Sequence, residues 1–342
     1  MPEDPRPGTP EGAWSAPVEQ LQRALREPLL TALPRFGVLA VRGPDAAQFL
    51  NAQLTVDVAA IDATRWQLGA YCSIKGRVTA LVELWRTDDG FCLSLPSEMV
   101  ETLRSRLARF VLRSKVQLEN VTDQWRAFGL TGLGIEHALT SAGLPCPEQP
   151  WTSRPLSEGG RLVRVPPSPR AGARLMLLTP AATTTSYQQK LAAVTPVDPG
   201  VWWWSKVDAG LPDVFTVTQE RFLPQMLNLD VLGGVHFGKG CYPGQEVVAR
   251  SQYLGKLRRR MMRAHAAQAL PGEDVFDDSA DGASGGAVGT VVMAAASPEG
   301  GVDLLLECPT ALVGAAQLRI GKAQSGHISL GEVPYPMINP TA

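Results

Sequence analysis

Residues 233–250 read Gly-Gly-Val-His-Phe-Gly-Lys-Gly-Cys-Tyr-Pro-Gly-Gln-Glu-Val-Val-Ala-Arg. The spacing predicts a short strand at 235–237, a tight loop at 239–244, and a helix at 245–253 with Pro243 where helices begin. A thiol at that position, Cys241, faces unsatisfied backbone N–H groups and the positive end of a helix dipole. Lys239, two residues away, adds a positive charge. Both effects favour thiolate, so Cys241 and Lys239 are the candidate reactive groups. Gly240 and Gly244 allow backbone to approach a ligand closely. Tyr242, Gln245, Glu246 and Arg250 place polar groups beside them. A turn around a buried, inert cysteine accounts for the same residues equally well.

Two apparent motifs fail on inspection. Gly233 to Lys239 spells GxxxxGK, but Gly240 stands where a phosphate-binding loop needs Ser or Thr for magnesium, so nucleotide hydrolysis is not expected. Gly132-Leu133-Gly134 is an incomplete dinucleotide fingerprint that serves only a strand-to-helix turn.

The 342 residues are 44% hydrophobic and 19% charged, enough for two or three compact units with a full core. Lys and Arg number 32 against 33 acids, so no bulk charge draws the chain to nucleic acid. Five cysteines at long, irregular gaps suggest neither a disulfide framework nor a local zinc or cluster site, and no metal is expected. The start, Met1-Pro2-Glu3-Asp4-Pro5, does not resemble a signal peptide, and no apolar run is long enough to span a bilayer. A cytoplasmic protein without membrane contact is the expectation.

Working outward, residues 1–16 read as a loose tail. Leu21, Leu25, Leu29 and Leu33 predict a helix over 18–33. A strand at 36–41, a helix at 46–54, hairpin strands at 67–73, 77–86 and 91–95, and a helix at 97–110 follow. A second half repeats the order: strand 125–131, helix 134–142, loop 144–155, strands 161–165 and 174–178, and helix 183–193. The prediction is two α+β subdomains, about 17–120 and 121–255. From 256 to 342, short strands at 256–265, 285–295, 301–306 and 317–320 predict a small β-barrel, with a mobile loop at 277–284. Trp202-Trp203-Trp204 reads as a strand with alternate rings in the core, or with one ring free to stack on a ligand. Lys256, Arg258, Arg259, Arg260 and Arg263 read as a solvated strand face or as a basic patch for an acidic tail or RNA.

Lys239-Gly240-Cys241-Tyr242-Pro243-Gly244-Gln245-Glu246 resembles the KGCYxGQE signature of the YgfZ-type proteins, whose eukaryotic relatives are mitochondrial iron–sulfur assembly factors. Further blocks are similar in the same order: 43–55, the Tyr71–Arg77 hairpin, 208–212 and 223–230. The resemblance implies an α+β, aminomethyltransferase-like folate-binding fold of two ferredoxin-like subdomains with a C-terminal β-barrel. It implies tetrahydrofolate, or a one-carbon derivative, in a central channel. Asp208 falls where those enzymes hydrogen-bond the pterin through a carboxylate, although Asp also commonly anchors turns. Trp204 is the stacking candidate, and Gly240, Tyr242, Gly244, Gln245, Glu246 and Arg250 would line the ligand. The aminomethyltransferases carry an aspartate in the hairpin that here reads Cys72-Ser73-Ile74-Lys75-Gly76-Arg77-Val78-Thr79, without a carboxylate. The implied function is a folate-binding accessory factor for assembly or repair of iron–sulfur proteins, including tRNA-modifying enzymes. Its implied partners are folate, iron–sulfur client or assembly proteins and, weakly, tRNA. The alternative is a folate-dependent one-carbon transferase.

Overall fold

In the first third of the chain, apolar residues alternate along strands that bury both faces of one sheet. The computed structural model describes residues 13–253, 258–278, 286–312, 317–321 and 328–337. Strands Trp66–Cys72, Val78–Thr87, Gly90–Pro96, Phe36–Arg42 and Gln117–Asn120 lie side by side in that order, all antiparallel. Leu39, Val41, Val82, Leu84 and Leu93 face helices Ala46–Asn51 and Ser97–Ala108 in one core. On the opposite face Trp66 stacks on Trp85 at 4.2 Å, and Trp85 meets Trp125 edge-on, joining this sheet to the next.

The second sheet runs Thr195–Val197, Leu29–Ala32, Trp125–Thr131, Gly172–Pro180, Arg161–Ser168, Thr152–Pro155. Helices Ile135–Ser141 and Thr184–Lys190 pack on it through Leu139 and Tyr187. The helix predicted over 18–33 ends at Arg23, and Leu29–Ala32 is a strand paired with Trp125–Thr131. Pro28 has no N–H to give a helix and turns the residue before it away from helical backbone. Leucines spaced by four satisfy the strand here because they have a neighbouring sheet to face.

The C-terminal unit is a half-barrel in the order Leu318–Ile320, Asp274–Asp277, Gly289–Ala296, Val302–Pro309, Arg259–Ala266, Ser329–Gly331. Ala13–Trp14, from the predicted tail, pairs in parallel with Gly289–Ala296. Most of the predicted loop at 277–284 lies outside the described residues. No helix among those described is long and apolar enough to cross a membrane.

The three tryptophans predicted as a strand lie in a helix, Pro199–Asp208. Asp198 and Pro199 begin it, with proline in the first turn where its missing N–H is harmless. Residues 200–208 are all buried, as an apolar helix requires when sheets cover it on several sides. Trp203 stacks on Trp14 at 4.3 Å. Residues 235–237, predicted as a strand, are irregular, with the His236 amide donating to the Thr55 carbonyl at 2.8 Å.

The half-barrel is tied to the preceding segment by a buried ion pair. Arg260 donates through Nη1 to Asp230 Oδ1 at 2.6 Å and through Nη2 to Oδ2 at 2.9 Å, both side chains being almost wholly buried. Removing one partner leaves the other charge desolvated. Asp230→Ala is expected to lower unfolding free energy by about 3–5 kcal/mol in denaturant titration; a loss under about 1 kcal/mol would show that the pair is not holding the units together.

Candidate functional site

The loop at 239–246 sits where several distant segments converge. Gly244 has φ +79°, and a Cβ there would lie 2.4 Å from the Ser73 carbonyl oxygen and 2.5 Å from Gly76 Cα. The loop therefore presses backbone to backbone on the 72–78 hairpin, and Gly244 serves that packing. Lys239 Nζ donates to the Asn51 carbonyl and, at 2.8 Å, to the Leu54 carbonyl, capping the end of helix Ala46–Asn51. Burial pulls the Lys239 amine down to about 8. Its ammonium lies 5.0 Å above the buried Tyr242 ring. Gln225 Nε2 donates to the Val248 carbonyl at 2.8 Å, bringing in the 223–230 block. Cys241 is exposed at the tip.

A second feature, a central cavity, opens between the first two sheets and helix Pro199–Asp208. Its water-sized space amounts to about 60 Å³, and it is lined by Leu68, Leu81, Met176, Trp202 and Trp203 among others. Four charged groups enter it: Glu83, Arg174, Lys206 and Asp213. Lys206 Nζ donates to Asp213 Oδ2 at 2.6 Å and lies 3.7 Å from Glu83 Oε1. Arg174 lies 4.2 Å over the Trp202 ring and donates to Ser205 Oγ at 2.8 Å. Burial pulls its guanidinium down to about 9, and burial likewise raises the Asp213 carboxyl against the pull of Lys206. None of residues 239–246 lines this cavity.

Asp208 occupies a third place, the junction of helix Pro199–Asp208, the 166–172 turn and the half-barrel. Its Oδ2 accepts Ser168 Oγ at 2.5 Å and the Arg170 amide at 3.0 Å. Its Oδ1 accepts Arg170 Nε at 2.8 Å and Arg263 Nη1 at 2.9 Å. A carboxylate has about four acceptor sites, and all are used. Trp204 is fully buried beside it, its indole N–H donating to Asp303 Oδ2 at 2.8 Å.

The chain is 30% identical over 302 residues to the tRNA-modifying protein YgfZ of Edwardsiella ictaluri, covering 86% of this chain and 88% of that one. It belongs to the YgfZ family. The protein of the same name from Pectobacterium carotovorum is 29% identical over 321 residues, 92% of this chain and 94% of that one. The glycine cleavage system aminomethyltransferase T of Bartonella henselae superposes with a TM-score of 0.74 at 18% identity, covering 93% of this chain and 89% of that one, which shows a shared fold. No family model matches the chain.

Against that background, the residues predicted to act together in this YgfZ-family chain divide into separate groups. Lys239, Gly240, Cys241, Tyr242 and Gly244 share one loop, but Lys239 is committed to carbonyls of another helix. Arg250 and Glu246 pair with each other at 2.7 Å on the exposed helix surface. Gln245 sits at the start of that helix, half-buried. Asp208, predicted to read a pterin, is saturated by two arginines. Trp204, predicted to stack on a ligand, is sealed in the core; Trp202 and Trp203 face the cavity instead, because successive helix residues point about 100° apart. Of the predicted basic patch, Arg259 pairs with Glu307, Arg260 with Asp230 and Arg263 with Asp208; Arg258 is exposed, and Lys256 lies outside the described residues. Glu83, Arg174, Lys206 and Asp213 were not singled out from sequence. Their signal was a charge set within an apolar run, as Arg174 in Ala-Gly-Ala-Arg-Leu-Met-Leu-Leu.

Burial pushes the Cys72, Cys92 and Cys308 thiols up to about 12, and raises the half-buried Cys146. Iodoacetamide near neutral pH is therefore expected to modify Cys241 first, with Cys146 next, as read by peptide mass spectrometry; Cys241 emerging as the slowest thiol would contradict this. At Gly244, both the left-handed backbone and the hairpin contact oppose a side chain. Gly244→Ala is expected to destabilise by about 1–3 kcal/mol, visible as a lower melting temperature, whereas unchanged melting would mean that the two backbones are not in contact.

Proposed function

We propose that the chain is a tetrahydrofolate-binding accessory factor that supports assembly or repair of iron–sulfur proteins, including those that modify tRNA. The observation that carries this reading is the exposed Cys241 on a loop packed against a hairpin without a carboxylate, in an aminomethyltransferase-like fold. The relatives' name, tRNA-modifying protein, supports the tRNA connection. The lining of the central cavity supports the folate part of the reading by its chemistry alone: Leu68, Leu81 and Met176 give apolar wall beside Trp202 and Trp203, and a few buried polar groups give orientation. Tetrahydrofolate, when bound, would supply one-carbon or redox chemistry of its own, while the protein's residues bind and orient it.

A one-carbon transferase reading ranks below this. The Cys72–Thr79 hairpin carries no acidic residue of its own, and the carboxylate beside Thr79, Glu220, is paired with Arg106 at 2.7 Å. Function therefore rests on binding and on the exposed thiol.

A strain lacking the gene tests the reading. Under oxidative stress, the activity of iron–sulfur enzymes that modify tRNA is expected to fall, to recover with the wild-type gene, and to recover poorly with Cys241→Ser although that variant folds normally. Unchanged activities in the deletion strain would sink the iron–sulfur role, and full rescue by Cys241→Ala would remove the thiol from it.

A further inference from the structure

With about 60 Å³ of water-sized space, the central cavity falls well short of the roughly 300–1,000 Å³ of small-molecule sites. A ligand of that size enters only if part of the wall gives way. Most of the wall comes from sheet strands and the Pro199–Asp208 helix. Two of its residues, Trp203 and Arg35, are backed by Trp14, which precedes helix Val18–Arg23. The Trp14 ring stacks on Trp203 at 4.3 Å, and the Arg35 guanidinium lies 5.2 Å from its centre.

The segment that carries Trp14 is weakly fastened. Ala13 and Trp14 make two parallel pairs, with Ala294 and Ala295, and parallel pairing is the weaker kind. The Trp14 indole N–H is buried without a hydrogen-bond acceptor among the described residues, a cost that burial of the ring has to offset. The chain then crosses the first turn of helix Pro199–Asp208 at Gly200, where a Cβ would lie 2.2 Å from the Ser15 carbonyl oxygen and 2.9 Å from Ala16 Cβ. Beyond that crossing it is anchored. Gln20 Oε1 accepts the Asp198 amide at 2.7 Å, Gln22 Nε2 donates to the Pro298 carbonyl at 3.1 Å, and Leu21 is fully buried. A segment with few ties that leads into an anchored point opens locally at low cost.

We propose that residues 13–17 form a strap that closes the central cavity through Trp14, and that a flat aromatic ligand opens it by taking the indole's place on Trp203. The ligand class rests on the folate reading above; the strap itself does not. Release of Trp14 uncovers one face of Trp203, removes the ring that Arg35 leans on, and returns the orphaned indole N–H to water. The cavity widens at the part of its wall that no sheet strand holds.

Hydrogen exchange read by mass spectrometry, together with tetrahydrofolate affinity, tests the strap in the full-length chain. Without ligand, the amides of residues 13–16 are expected to exchange faster than those of strand Gly289–Ala296. Gly200→Ala, whose added Cβ pushes the strap off the helix, is expected to speed them further and to leave the strand unchanged. Trp14→Ala and Gly200→Ala are each expected to bind tetrahydrofolate about tenfold to a hundredfold tighter than wild type, the gain for an open state populated at about 1–10%. Tetrahydrofolate added to wild type is expected to speed exchange in the strap. Strap amides as slow as the strand, or folded variants that bind tetrahydrofolate no tighter than wild type, overturn the strap while the folate reading stands. Should Trp14→Ala fail to fold, Gly200→Ala decides alone. If neither wild type nor the variants bind tetrahydrofolate, the folate reading falls, and the exchange of residues 13–16 in Gly200→Ala alone upholds or overturns the strap.

Discussion

Burial of the Pro199–Asp208 helix on every side is the constraint to which the rest of the structure answers. A helix carrying Trp202, Trp203 and Trp204 in succession has no polar face to leave in water, so other elements must cover each ring. They come from different parts of the chain. Trp202 meets Arg174 of the second sheet, Trp203 meets Trp14 and Phe215, and Trp204 bonds Asp303 of the half-barrel. Because successive side chains diverge, three neighbouring residues reach three partners. Each aromatic contact adds only about 0.5–1.5 kcal/mol beyond its buried area, yet together they fix where both later sheets sit.

The polar residues of the same helix share that burial, with unequal results. Asp208 accepts four hydrogen bonds and has nothing left to offer a ligand. Arg170, which holds it, also reaches Asp303 and Glu299, so the carboxylate is one member of a network spanning three segments. Such networks are strong when complete and damaging when one member is lost. Lys206, less than a full turn away, faces instead the cavity, where it donates to Asp213 at 2.6 Å and lies 3.7 Å from Glu83.

Much of the fold was legible because its strands obey local rules. The hairpin strands around Lys75-Gly76, the Ser97–Ala108 helix and the short strands after 258 follow apolar periodicity that any sequence shows. The helix predicted over 18–33 failed because leucines spaced by four also suit a strand once a neighbouring sheet is available, and Pro28 was the local sign against it. The tryptophan run failed because three consecutive apolar residues carry no period at all. The candidate loop at 239–246 stood out in sequence by its chemistry, but the geometry around Asp208 did not. Arg170 and Arg263 lie 38 and 55 residues from Asp208, and no spacing rule connects them. The basic run is hard to read for the same reason: Arg259, Arg260 and Arg263 meet acids on a strand, a turn and a helix that lie far away in sequence.

Cys241 and the central cavity, which the proposed function uses, lie apart and are held in different ways. The cavity is formed by core strands and a buried helix, so its groups are held by packing. The thiol stands on an exposed loop, where order has to come from specific ties. Gly244 gives one by letting backbone meet backbone at the hairpin, and Lys239 gives another by reaching the carbonyls of Asn51 and Leu54. The second tie works against a burial penalty, which is why the amine is pulled down to about 8. With the folded value below the ordinary lysine value of about 10.4, the unfolded chain binds more protons between the two, so this group's opposition to folding is full below pH 8 and fades as pH rises above it. Near neutral pH the loop therefore keeps a charged, partly desolvated lysine in place through two carbonyls and the Tyr242 ring. A position held against its own solvation in this way is set by the surrounding structure, and the thiol two residues on is presented at a fixed place outside the cavity.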